Sequence, residues 1–192
     1  SEQGVSIIRT WMVDSRNAAN MSFDNVQVPK NAMLGEIGAG FAGLDEVLDV
    51  ARIGVAAEML GSMQEVFDRT LDYMKQREQF GVLIGSFQGL QHRMADMYSE
   101  IELCKSTVRA ALAALDNANS TAKEIAIIAS VAKAKLSETM EVVSNEGIQL
   151  HGGIGMTDEF DIGFFIKRAR AAQQFLGDAS FHRDRYATLN GF

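Results

Sequence analysis

Pro29 is the only proline among 192 residues, so nothing from Lys30 to Phe192 has to break a helix. Apolar residues in that stretch recur at helical intervals. Leu44, Leu48, Ala51, Val55, Met59, Met63, Val66 and Met74 follow mostly three- and four-residue steps as far as Arg77. They predict a helix of about 33 residues, roughly 50 Å long. Gly81 and Gly85 end it, and Ser86 is placed to cap the next helix. Leu90, Met94, Met97, Ile101, Cys104, Val108, Ala111 and Leu115 then form an unbroken apolar stripe. Asp116–Ser120 reads as a turn, and Thr121 with Glu124 forms a capping box that opens a third helix. Ile125, Ile128, Ala132, Leu136, Met140 and Val143 carry its apolar face until Gly152–Gly155 closes it. Two shorter helices are predicted over about residues 161–175 and 179–189. Long helices joined by short turns predict a mostly α fold, an antiparallel four-helix bundle. The methionines sit largely on these stripes and read as core packing.

The N-terminal part has a different pattern. Val5, Ile7 and Ile8, then Trp11–Val13, Met21–Phe23 and Val26–Val28 read as strand-like pieces punctuated by asparagine and aspartate. So few strands cannot make a stable sheet, so they are expected to be the last strands of a domain whose other strands lie outside this chain. The expected division is residues 1–36 as that β segment and residues 37–192 as the helical domain.

Hydrophobic residues make up 47% and charged residues 22%, as in a chain with a real core. Lys+Arg 18 against Asp+Glu 25 gives a net charge of −7, spread along the chain. That disfavours nucleic acid or an anionic membrane as a partner. No segment has the length and apolarity of a membrane span, and the N-terminus lacks a signal-peptide layout. The one cysteine, Cys104, excludes an intrachain disulfide and suits a reducing compartment. The expectation is a soluble protein of the cytoplasm, or of the mitochondrial matrix in a eukaryote.

Several chemistries are absent. His92, His151 and His182 lack metal-ligand spacing, so no metal site is expected. Cys104 lies on an apolar stripe, where a thiol packs rather than reacts. Gly152–Gly155 follows a helix instead of a strand, which argues against a dinucleotide fingerprint of the Rossmann type. Two readings of it stay open: a plain helix-end turn, or a loop where backbone approaches a cofactor closely. Arg77–Gly81 puts a guanidinium and an aromatic ring together at a helix C-terminus. The two groups suit pyrophosphate and a heterocycle, and a solvated helix end is the competing reading.

In their order and spacing these segments resemble the C-terminal part of the acyl-CoA dehydrogenase family. The matching stretches are Phe23–Pro29 with Leu34-Gly35, Ala51-Arg52, Arg77–Gly81 with Phe87-Gln88, Gln149–Gly155 and Gly177. The resemblance implies a helical bundle that follows a β-domain, forms a homo- or hetero-oligomer, and binds FAD across a subunit interface. It implies that Arg77 and Phe80 meet the pyrophosphate and adenine end of a partner's FAD, with Gln88 near the same cofactor. Gln149, Gly152 and Gly153 would line its adenosine side. Asp49 and Arg52, three apart on one helix face, would face acyl-CoA, an ordinary intrahelical ion pair being the alternative. An electron-transfer partner is implied as well.

The family removes an α-proton with a glutamate while hydride passes from the β-carbon to flavin. Counting from Gly153 puts the usual glutamate at Leu176, and the alternative family position is Ala51. Neither side chain accepts a proton. Asp178 is the nearest carboxylate, but two residues further along a helix point about 200° away, and its side chain is a methylene shorter. Ser180 stands where the family commonly has glutamine. Two readings follow: an FAD-binding and oligomerisation domain of an acyl-CoA dehydrogenase with a displaced base at Asp178, or a non-catalytic FAD-binding and assembly subunit whose partner carries the glutamate.

Overall fold

The computed structural model describes residues 4–192; Ser1–Gln3 of the expected β segment lie outside the described residues. Val5–Trp11 (β1) and Asn17–Phe23 (β2) pair as an antiparallel hairpin, with Val5 opposite Phe23 and Trp11 opposite Asn17. Val26–Val28, expected as a strand, is irregular. Five α-helices follow: Gly40–Gln76 (α1), Gln88–Asp116 (α2), Ala122–His151 (α3), Ile162–Gln174 (α4) and Ala179–Asn190 (α5). Between α1 and α2 a small hairpin pairs Glu78–Gln79 (β3) with Val82–Leu83 (β4). The mostly helical bundle behind a short β segment is thus the fold this chain forms.

The capping box at Thr121 is present: the Glu124 amide donates to Thr121 Oγ1 at 3.2 Å, and the Thr121 amide donates to Glu124 Oε2 at 2.8 Å. Ser86 is not a cap. Its hydroxyl donates back to the Leu83 carbonyl, and Phe87 occupies the N-cap position without a side-chain bond. Met59, Met63, Met74, Met94, Met97 and Met140 fill the core with Ile53, Ile101 and Leu136, whereas the methionines of the N-terminal segment and Met156 are on the surface. Cys104 is buried, and burial raises its thiol pKa.

The long helix α3 sits centrally, packed by α1, α2, α4 and α5. Gly147 lets α1 approach it, since a Cβ there would lie 2.6 Å from Val66 Cγ1. Burial on several sides puts polar residues inside, and Lys133 is the largest of the fully buried side chains. Its ammonium donates to Ser137 Oγ and to two backbone carbonyls.

The β1–β2 hairpin leaves Ile7, Ile8, Trp11, Met21 and Phe23 exposed. Ion pairs at its loop hold it to the bundle. Asp14 accepts from Arg168 at 2.8 Å, and Arg168 also grips Glu58 with two nitrogens at 2.6 and 2.9 Å. Burial raises the Asp14 carboxyl pKa, but Arg168 and the Arg16 amide outweigh it and hold the group below its ordinary value.

Two predictions follow from this packing. Asp14→Asn will lower amide protection across residues 5–23 several-fold and leave α1–α3 unchanged in hydrogen-exchange mass spectrometry; equal protection in both proteins contradicts the latch. Lys133 sets a pH dependence. Burial pushes its pKa from 10.5 down to about 8, with Arg52 lowering it further and Asp178 raising it. Unfolded molecules therefore bind the extra proton between those values, and stability rises with pH across that window by on the order of 3 kcal/mol. Urea unfolding from about pH 7.5 to 10.5 will show that rise relative to Lys133→Met; parallel profiles contradict it.

Candidate functional site

The C-terminal ends of α1 and α3 lie side by side. The Tyr73 ring stacks on His151 at 4.4 Å, its hydroxyl donates to the His151 carbonyl at 3.2 Å, and Phe160 closes the cluster. Beside this seam opens a cleft of about 470 Å³, whose lining includes Arg77, Arg93, Gln149, His151, Gly152 and Gly153. Residues more than seventy positions apart in sequence thus share one concavity.

Each contributor is placed by its local backbone. Arg77 is the C-cap of α1, in extended conformation. Among the described residues its guanidinium has no carboxylate partner, whereas Arg93 is paired with Glu146 at 2.6 Å. His151 ends α3. Its Nδ1–H donates to the Gly147 carbonyl at 2.7 Å, which leaves Nε2 as a buried acceptor without a partner. Burial lowers the pKa of His151, and the Gly147 bond opposes that less strongly. Gly152 has φ 65°, ψ −143°, and a Cβ at Gly152 or Gly153 would meet nothing within 4 Å. The backbone there is open to a close-lying ligand.

Phe80 and Gln88 are not part of the cleft lining. Phe80 and Gly81 are the two central residues of the β3–β4 turn, with φ 56° and 80°, as a type I′ turn demands. Glycine accepts that readily; a phenylalanine held there is strained. The Phe80 side chain is 91% exposed and touches only the edge of Phe87 at a centroid distance of 6.2 Å among aromatic neighbours. Gln88 opens α2 on the surface.

Asp49 and Arg52 belong to a separate, buried network at the opposite end of α1. Arg52 Nη1 donates to Asp49 at 2.7 Å and to Asp45 at 2.9 Å. Arg185, from α5, donates to both carboxylates and to Ser130 Oγ at 3.0 Å. Asp49 and Arg52 are 3% and 5% exposed, so their charges are spent on joining α1, α3 and α5. Only Arg52 Nε is left without a partner. Burial raises the Asp45 carboxyl pKa, and the two arginines overcome it, so the group sits below its ordinary value.

The segment after α4 carries the remaining candidates. Leu176 adopts φ 63°, and its half-buried side chain packs on the core. Asp178 is the N-cap of α5, accepting from the Phe181 amide at 2.8 Å. Ala51 is half-buried on α1. Sequence reasoning missed Lys133, Arg185 and the aromatic seam at Tyr73. The run of small residues on both sides of α3, Ala126, Ala129, Ser130 and Ala132, was the available sign that this helix is enclosed and that a lysine within it is buried.

The description of the acyl-CoA dehydrogenase C-terminal domain matches residues 38–188. The chain is 34% identical over 167 residues to the bovine (Bos taurus) mitochondrial short/branched chain specific acyl-CoA dehydrogenase, covering 87% of this chain and 38% of that protein. It is 35% identical over 144 residues to the caffeyl-CoA reductase-Etf complex subunit CarC of Acetobacterium woodii, 75% of this chain and 37% of that one. An acyl-CoA dehydrogenase structure from Geobacillus kaustophilus superposes with a TM-score of 0.92 at 28% identity, over all of this chain and 50% of that one. The chain therefore spans about two-fifths of the length of the curated relatives it matches. A helical bundle of this topology, with its motifs in this order and a family description covering most of its length, belongs to the acyl-CoA dehydrogenase family of oxidoreductases.

Proposed function

We propose that this chain supplies the adenosine and pyrophosphate half of an FAD site, shared across a subunit interface, in an oligomer that carries out α,β-dehydrogenation of an acyl-CoA thioester. The observation that supports it most is the convergence of Arg77, Gln149, Gly152 and Gly153 on one cleft. The residues suit the group. A guanidinium without a carboxylate partner matches pyrophosphate in forked geometry. The glycines let backbone amides come close to a ligand. Phe80, strained and exposed, is presented to a second subunit. When bound, the flavin supplies the hydride-accepting ring, and the protein's share is binding, orientation and exclusion of water.

A second reading is favoured by one specific observation. No carboxylate stands at Leu176 or Ala51, and the Asp178 carboxylate is engaged as a helix cap. The cap engages Oδ1 and, among the described residues, leaves Oδ2 unbonded, so the cost arises where the whole carboxylate must turn away from the start of α5, which breaks the bond to the Phe181 amide at about 1 kcal/mol. On this reading the chain binds FAD and assembles the complex, and a partner chain brings the glutamate. The relationship to a subunit of a named complex is in keeping with that.

Two outcomes are expected. FAD titration of the oligomer by fluorescence polarisation will saturate, and Arg77→Ala will weaken it about 10- to 100-fold, the loss expected for a charge-assisted contact; unchanged affinity returns Arg77 to a solvated helix end. Leu176→Glu in the assembled, flavin-loaded protein will raise turnover of acyl-CoA while Asp178→Asn leaves it unchanged. Loss of a measurable basal activity in Asp178→Asn supports the displaced base instead.

A further inference from the structure

The turn between α4 and α5 is gripped by two buried side chains from other elements. A helix C-terminus leaves carbonyls without intrahelical partners, and here three carbonyls of the Gln173–Gly177 segment are taken up by side chains. The Lys133 ammonium, from α3, donates to the Gln173 carbonyl at 3.1 Å, the Gly177 carbonyl at 2.8 Å and Ser137 Oγ at 3.1 Å. Its three protons are thus all used. His182, from α5 and fully buried, lies 3.0 Å from the Leu176 carbonyl through Nε2. A carbonyl only accepts, so Nε2 carries the proton and Nδ1 is the bare nitrogen, which has no partner.

The backbone between them is in a conformation that needs such support. Leu176 and Gly177 take φ 63° and 101° in succession. A Cβ at Gly177 would strike the Phe181 ring and lie 3.1 Å from His182 Nε2. A non-glycine residue in the left-handed region persists where its surroundings over-determine it.

We propose that Lys133 and His182 are positioning residues for this turn: together they hold the carbonyls of Gln173, Leu176 and Gly177, fix the direction of the side chain at position 176, and keep Asp178 at the start of α5. The backbone that aims residue 176 is therefore built by α3 and α5 as much as by α4. Its bearing on base placement rests on the family reading above; the turn itself does not, and the test involves no flavin. The charged groups around the pair are Asp178 on α5, Arg52 on α1 and Arg185 on α5. Burial first, and then the cations Lys133, Arg52 and Arg185, hold the His182 pKa down to about 4, so the ring is neutral in ordinary buffers.

The test is nitrogen NMR of the imidazole rings together with hydrogen exchange of residues 173–182. In the unmodified chain the His182 ring will show the single Nε2–H tautomer from about pH 5.5 to 8.5. In Lys133→Met the two tautomers will mix, and protection of residues 173–182 will drop about tenfold with α2 unchanged. With α2 protection unchanged, tautomer mixing reports the turn and not a general loosening of the core. Should Lys133→Met not fold, Gly177→Ala perturbs the turn from the other side, and the same tautomer mixing is expected. A wild-type ring protonated on Nδ1, or Lys133→Met with the wild-type tautomer and protection, overturns the proposal; so does Gly177→Ala with both retained.

Discussion

The enclosure of α3 by four other helices governs the rest of this structure. A helix buried on most of its circumference carries its polar side chains into the interior, where each must find a partner. Ser130 meets Arg185, Ser137 meets Lys133, and Lys133 reaches across to the end of α4. Through Arg185 the same demand joins α5 to Asp45 and Asp49 of α1. The two ends of the bundle are set in different ways. Buried charge fixes the end where α1 and α3 begin, and the Tyr73–His151–Phe160 aromatic seam fixes the end where they finish. That second alignment is what opens the cleft beside Arg77.

Electrostatics sharpens the contrast between the two ends. Asp45, Asp49, Arg52 and Arg185 neutralise one another and are closed off from solvent to differing degrees. Two arginines flank the cleft of a chain whose net charge is −7, and the one at the end of α1 has no carboxylate partner among the described residues. Local arrangement, not overall charge, decides what such a concavity attracts. The network at Asp49 and Arg52 has the character of a framework, because withdrawing either charge would leave the two-acid, two-arginine cluster unbalanced by one buried charge.

Much of the fold was legible because its signals are local and periodic. The stripes of α1, α2 and α3 and the Thr121–Glu124 box were readable from spacing, and helix ends fell within a few residues of expectation. Ser86 misled because a serine before a helix has two uses, and here its hydroxyl turns back to Leu83. Val26–Val28 misled because β-branched residues make a strand only where a neighbour pairs with them. Motif order grouped Arg77, Gln149 and the glycine pair, and the fold brings these residues to one cleft. Lys133 was not legible, since the small residues around it mark burial but not its partners, two of which lie some forty residues away. The capping role of Asp178 was hidden for a similar reason. Its competing partner, the Phe181 amide, exists only once Gly177 has turned the chain into α5.

The most direct test of the central claim is an ADP titration of the assembled protein, followed by backbone amide shifts. ADP carries the adenosine and pyrophosphate without the flavin ring, so it examines this half of the site alone. Saturable shifts at Gln149, His151, Gly152 and Gly153 and at the β3–β4 turn, with the Asp45–Arg185 end silent, are the predicted result. No shift at millimolar ADP, or shifts centred on α5, would contradict a nucleotide site between the ends of α1 and α3.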